Sequence, residues 1–205
     1  MNKEKINTVI DELFRDSKGD FFKMIKTVSK SVVRPLTPVD FKDLYLSISK
    51  EQGEDLTKLV VEKNYKNIVE FGTSFGISTL YLALGAMETN GHIITTELIT
   101  SKANKAKETF KKAGVDNLID LRIGDAMKTL QHHKDPIDLL FLDGWKDVYL
   151  PLFQMLETNF HPNTTIYVDN ANMKETQQFL DVISQQPTYR LQPLYNGKVF
   201  LISIL

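Results

Sequence analysis

The sequence predicts an α/β protein, a doubly wound and mostly parallel sheet of seven strands with an antiparallel last strand and a helical segment ahead of it. Three observations carry this reading. From Asn67 onward, short apolar or β-branched runs alternate strictly with helix-period stretches, the pattern of a parallel sheet covered on both faces. The first run ends in a glycine-rich turn, and two later runs end on acidic residues, so chemistry is expected at the carboxyl edge of the sheet. A chain of 205 residues suits one domain, with 1–65 as a helical cap or lid and 66–205 as the core.

The N-terminal part is helical by spacing. Ile6, Val9, Ile10 and Leu13 recur at helical intervals, as do Phe22, Ile25 and Val28, before a break at Pro35 and Pro38. Val39 to Ser49 reads as a further helix. The strands then follow in order: Ile68 to Phe71, His92 to Thr96, Ile119 to Ile123, Ile137 to Leu142 and Thr164 to Val168. The end differs, because Tyr189 to Leu194 and Lys198 to Leu205 flank an Asn196-Gly197 turn and form a hairpin, which makes the final strand antiparallel.

If Ile137–Leu142 and Thr164–Val168 are neighbouring parallel strands, Asp143, Asp169 and Asn170 emerge side by side. Three hard oxygen donors without His or Cys suit a magnesium-like divalent cation and leave positions for water and substrate. Lys146 follows three residues after the first ligand, where a neighbouring cation disfavours its protonated form and makes it a candidate base. An acid at a strand end commonly only caps a turn, so either aspartate alone carries little.

The glycine turn adds an independent signal. Gly72, Thr73, Ser74, Phe75 and Gly76 lie between a strand and a helix starting at Ile77; the glycines let backbone approach a ligand, and the helix start near Ser78 presents N–H groups to an anion. With no GKS or GKT ending and no GxGxxG spacing, it is neither a phosphate loop nor a dinucleotide turn. Glu97, about twenty residues on at the end of the second strand, can accept hydrogen bonds from both hydroxyls of a ribose. At the third strand's end, Asp125 and Ala126 suit an adenine's exocyclic amine and flat face, although Asp125 also reads as a helix N-cap.

The stretches VEFGTSFGIST, Glu97, GDA at 124–126, LDGWKDVYLP at 142–151 and VDN at 168–170 together resemble the class I S-adenosylmethionine-dependent methyltransferases. Among these they are similar to the cation-dependent catechol and caffeoyl-CoA O-methyltransferases. The resemblance covers about 67–205 and implies a Rossmann-like methyltransferase fold. It implies that Glu70, Gly72 and Ser78 meet the methionine end of S-adenosylmethionine, with Thr73, Ser74 and Gly76 in the same cofactor turn, Glu97 on the ribose, and Asp125 and Ala126 at the adenine. It further implies that Asp143, Asp169 and Asn170 bind magnesium, that Lys146 is the general base, and that Asp143 also adjoins the cofactor. Trp145, Lys146 and Asn170 would face the acceptor.

The chain departs from that family where the acceptor would sit. Mammalian catechol enzymes hold the second hydroxyl with a late acid, whereas here no Asp or Glu follows Asp181, and Tyr189, Tyr195 and Asn196 stand in that region. Lys174 replaces a wall proline. The helical cap would lie over the cofactor edge, with Leu36 to Val39 as the nearest contact loop.

The lead function is therefore magnesium-dependent methylation of a small catechol-like hydroxyl. One alternative is methylation of a hydroxylated uridine in tRNA, with Lys102, Lys105, Lys107, Lys111 and Lys112 as a docking face, although such a cluster is ordinarily a solvated helix face. A second is a non-catalytic cofactor-binding protein. His132 and His133 lack an evident third metal ligand. Zero cysteines exclude disulfides and thiolate metal sites, and a net charge of −1 gives no general push toward nucleic acid. The charged N-terminus lacks a signal-peptide core and no run approaches a membrane span, which predicts a cytoplasmic protein. Similarity to bacterial enzymes of this type makes a homodimer possible.

Overall fold

The computed structural model describes residues 2–17, 36–44 and 47–205. Its frame is a seven-stranded sheet in the order β3-β2-β1-β4-β5-β7-β6. The strands are β1 (Asn67–Phe71), β2 (His92–Glu97), β3 (Ile119–Ile123), β4 (Ile137–Leu142), β5 (Phe160–Val168), β6 (Tyr189–Leu194) and β7 (Val199–Ile204). The first five pair parallel, and β7 is antiparallel to both β5 and β6. The expected doubly wound sheet and its antiparallel last strand are thus present. β5 begins four residues earlier than its apolar run, because Phe160 pairs with Ile137 across an irregularity in the ladder.

The helices are α1 (Lys3–Ser17), α2 (Lys50–Lys63), α3 (Ile77–Thr89), α4 (Thr100–Ala113), α5 (Ala126–Thr129), α6 (Tyr149–Leu156) and α7 (Lys174–Ser184). Alternate residues of each central strand enter opposite apolar layers: Ile68 packs with α1, α2 and α3, while its neighbour Val69 packs with α6 and α7. Ile6, Val9, Ile10 and Leu13 of α1 are buried as their spacing predicts. The Phe22, Ile25 and Val28 pattern lies outside the described residues.

One element departs from expectation. Val39 to Ser49 does not form a continuous helix: Pro38–Phe41 makes a single 3₁₀ turn, and the next helix starts only at Lys50. The cause is local. Ser49 is extended, its hydroxyl accepts from the Gln52 N–H at 3.1 Å, and its own N–H donates to Gln52 Oε1 at 3.0 Å, a capping box that sets the start of α2. Leu44 and Ile48, which mimic helical spacing, are buried by tertiary packing instead. No helix among the described residues is long and apolar enough to cross a membrane.

Candidate functional site

The carboxyl ends of β1, β2, β4 and β5 converge. Leu142 pairs with Val168 in the β4–β5 register, so Asp143 and Asp169 follow side by side. The ladder continues into them: Asp143 N–H donates to Phe71 O at 2.9 Å and Asp169 N–H to Leu142 O at 3.0 Å. The buried Tyr149 hydroxyl donates to Leu142 O at 2.9 Å and ties the start of α6 to the same edge. Gly72 completes the junction at φ +106°, where a Cβ would lie 2.7 Å from the carbonyl group of Asp143 and from Gly144 N. Only glycine allows β1's turn to touch this loop.

Asp143, Lys146, Asp169 and Asn170 are brought together as expected. Lys146 Nζ lies 3.6 Å from Asp143 Oδ1 and donates to Gly144 O at 2.8 Å, with both charged side chains largely enclosed. Asn170, at φ +56°, directs its Nδ2 to Asp169 Oδ2 at 3.0 Å. Burial and then the facing Asp169 push the Asp143 carboxyl up to about 8. Two enclosed carboxylates of this kind resist joint ionisation unless a cation lies between them. The donor set, two carboxylates and an amide oxygen, therefore fits a hard divalent ion; no cluster of three His, Cys, Asp or Glu side chains occurs among the described residues.

The glycine turn is equally defined. Gly72 and Thr73 N–H groups both donate to Thr96 O, at 3.1 and 3.0 Å. Gly76, at φ +92°, caps α3 without a side chain, so the first-turn N–H groups have no side-chain partner. Glu70 is wholly buried and accepts from Ser78 at 2.5 Å, Thr79 at 2.5 Å and Thr95 at 2.6 Å. Burial raises its carboxyl above the usual range against the pull of those hydroxyls. Thr73 points inward, its hydroxyl 2.6 Å from that of Thr95, so only its backbone faces the turn's outer side.

Glu97 accepts from Ser74 N–H and Ile99 N–H, both at 2.8 Å, which draws the glycine turn and β2 together. Gly124 N–H donates to Glu97 O at 2.9 Å and brings Asp125 alongside. Asp125 is exposed and caps α5 through Met127 N–H at 3.0 Å, while Ala126 is buried. Trp145 is half-buried, its ring 6.3 Å from that of Phe41, with Nε1 donating to Asp147 Oδ2 at 3.0 Å.

Two features escaped the sequence reading. Gln52, only 1% exposed, reaches from α2 to Asp169, and Lys198 from the last hairpin reaches Gln52. The S-x-x-Q capping box was a visible signal for Gln52's backbone role, though not for its contact with a strand 117 residues away. The lysine face of α4 is also not uniformly solvated. Lys102 is 3% exposed, donates to Ser74 Oγ at 3.3 Å and lies 5.3 Å over the Phe75 ring. Lys112 pairs with Glu12 and Lys105 with Glu108.

A family model described as O-methyltransferase matches residues 11–179. Catechol O-methyltransferase of Niastella koreensis is 33% identical over 130 residues, 62% of this chain and 58% of that protein. The catechol O-methyltransferase of Mycobacterium tuberculosis is 30% identical over 127 residues, 62% of this chain and 57% of that protein. The chain thus spans under three fifths of the length of these two relatives. A putative O-methyltransferase from Klebsiella pneumoniae superposes with TM-score 0.72 at 24% identity, covering 88% of this chain and 96% of that one. The Bacillus cereus O-methyltransferase in complex with SAH superposes with TM-score 0.71 at 22% identity, covering 98% and 100%. These likenesses establish the fold, and the family match extends over the converging strand ends from Glu70 to Asn170: the chain belongs to the O-methyltransferase family.

Proposed function

We propose that this protein transfers a methyl group from S-adenosylmethionine to a hydroxyl of a small catechol-like aromatic, assisted by a magnesium-like cation. The observation that carries the reading is the placement of Asp143 and Asp169 on adjacent strand ends, with Lys146 3.6 Å from Asp143 and the glycine turn against the same loop. Family membership and the catechol and caffeoyl-CoA enzymes among its relatives support the reaction class.

Each residue has a role in this scheme. When bound, the sulfonium cofactor supplies an electrophilic methyl group, and the divalent ion lowers the pKa of the acceptor hydroxyl. Asp143, Asp169 and Asn170 would hold the ion. Glu97 would take the ribose hydroxyls, the turn from Gly72 to Gly76 with Ser78 and Glu70 the amino-acid end, and Asp125 with Ala126 the adenine. Lys146 Nζ would take the hydroxyl proton, and the acceptor oxygen so exposed would receive the methyl group, the cofactor leaving as its neutral thioether. Trp145, next to Lys146 in the chain and packed against Phe41, would offer a ring to a flat acceptor. Opposite charges are neutralised in the step, so an enclosed site favours it.

The test is transfer of labelled methyl from S-adenosylmethionine to catechol, with magnesium and then with a chelator. Chelator-sensitive transfer that disappears in the Asp143→Ala/Asp169→Ala double variant is the expected result. Transfer unaffected by chelator and by that variant would overturn the metal assignment.

A further inference from the structure

The side chain that holds Asp169 in place comes from outside the sheet. Gln52 lies in the first turn of α2, which approaches α3 so closely that a Cβ on Gly53 would fall 2.3 Å from the Tyr81 ring. This contact seats Gln52 against the end of β5. Its Nε2 donates to Asp169 Oδ1 at 3.0 Å, while Oε1 accepts from Ser49 N–H and from Lys198 Nζ, both at 3.0 Å. Two donors on the oxygen leave no ambiguity about the amide's orientation, since a flipped amide would set NH₂ against both. Lys198 polarises the amide that donates to the carboxylate, and it forms no ion pair among the described residues.

We infer that Gln52 is a positioning residue for the metal centre, committing one oxygen of Asp169 to an N-terminal helix so that the other is aimed at the cation. The inference rests on the metal assignment above, yet it concerns a residue that touches neither ion nor substrate. Oδ1 is occupied by Gln52, and Oδ2 accepts, among the described residues, from the side chain of Asn170, itself a candidate ligand. Partners that orient ligating carboxylates typically change metal affinity about 10- to 100-fold when removed. The same amide oxygen caps Ser49, so the start of α2 and the end of β5 share one side chain.

The experiment measures Mn²⁺ binding to the full chain by electron paramagnetic resonance, without cofactor or acceptor, alongside the thermal midpoint. Gln52→Met keeps the side-chain length and removes both hydrogen-bonding ends. Ser49→Ala breaks the hydroxyl half of the capping box and leaves the Asp169 contact alone, so it reports a purely structural effect. Mn²⁺ affinity falling at least tenfold in Gln52→Met and unchanged in Ser49→Ala, at comparable losses of thermal midpoint, is the expected result. Equal affinity in Gln52→Met and wild type, or equal weakening in both variants, overturns the positioning role. Absence of Mn²⁺ binding to the wild type removes the metal assignment itself, a separate failure. Should Gln52→Met not fold, Gln52→Ala, which removes the same donor to Asp169 without changing any charge, decides: Mn²⁺ binding weakened at least tenfold supports the role, and binding equal to wild type overturns it.

Discussion

Replacing Gly72 by alanine tests whether the site is built by contact between two strand-end loops. The residue sits at φ +106°, and the added Cβ would approach the Asp143 carbonyl and Gly144 N to 2.7 Å, inside any normal contact distance. The conformational strain costs about 1–3 kcal/mol, and displacement of a packed neighbour adds about 1–3 kcal/mol. The neighbour is backbone, which cannot rotate away, so the terms combine to roughly 2–6 kcal/mol. With a urea slope near 2 kcal/mol/M, the unfolding midpoint falls by about 1–3 M. Gly197→Ala is the control, since Gly197 has φ +81° but nothing within 4 Å of its would-be Cβ. It should lose only the left-handed cost of about 1–2 kcal/mol. Equal losses in the two variants would refute the claim that the Gly72–Asp143 contact constrains the site, as would a Gly72→Ala protein with undiminished turnover.

Lys146→Ala should lower methyl transfer by about 10²- to 10⁴-fold while leaving S-adenosylmethionine affinity unchanged, as read by calorimetry. Glu97→Ala should weaken cofactor binding by about 10- to 100-fold, because charge-assisted hydrogen bonds are worth about 1.5–3 kcal/mol. Burial raises the Glu97 carboxyl above its usual range, against the N–H groups of Ile99, Ser74 and Leu98 and the charge of Lys102. Since the ionised form is the acceptor, affinity is full above that raised pKa and falls as acidification passes through it, earlier than for an ordinary glutamate; a titration of cofactor affinity against pH measures this. Phe153→Ala should cost about 3–5 kcal/mol in urea unfolding, because Phe153 is fully buried with rings of Phe160, Phe179 and Tyr189 5.2–5.6 Å away.

What could be read from the chain was whatever local pattern determines. Asp143 and Asp169 were legible because each ends an apolar run of strand length, and their adjacency, conditional in the sequence, follows from the pairing of β4 with β5. The glycine turn was legible because Gly72 and Gly76 occupy backbone angles that side chains avoid. Gln52 and Lys198 were not, since 117 and 146 residues separate the partners that meet there. Val39 to Ser49 misled for a related reason: Leu44 and Ile48 are spaced as on a helix, yet docking onto the core buries them without one. Lys102 resembled its solvated neighbours on α4 and is distinguished only by the ring and hydroxyl it meets in space.

The hydrogen-bond ladder that runs past the strands into Asp143 and Asp169 has a consequence for how such a protein can diversify. The separation of the Asp143 and Asp169 backbones follows the spacing of neighbouring strands, about 4.8 Å, because the ladder bonds continue into both residues. Surface loops that contribute nothing to Gln52, Lys198 or the glycine turn can therefore lengthen, shorten or change character while the two strand ends stay in place. Under the proposed function, acceptor choice would then rest on those loops and the chemical step on the strand ends, so that selection could act on the first without retuning the second.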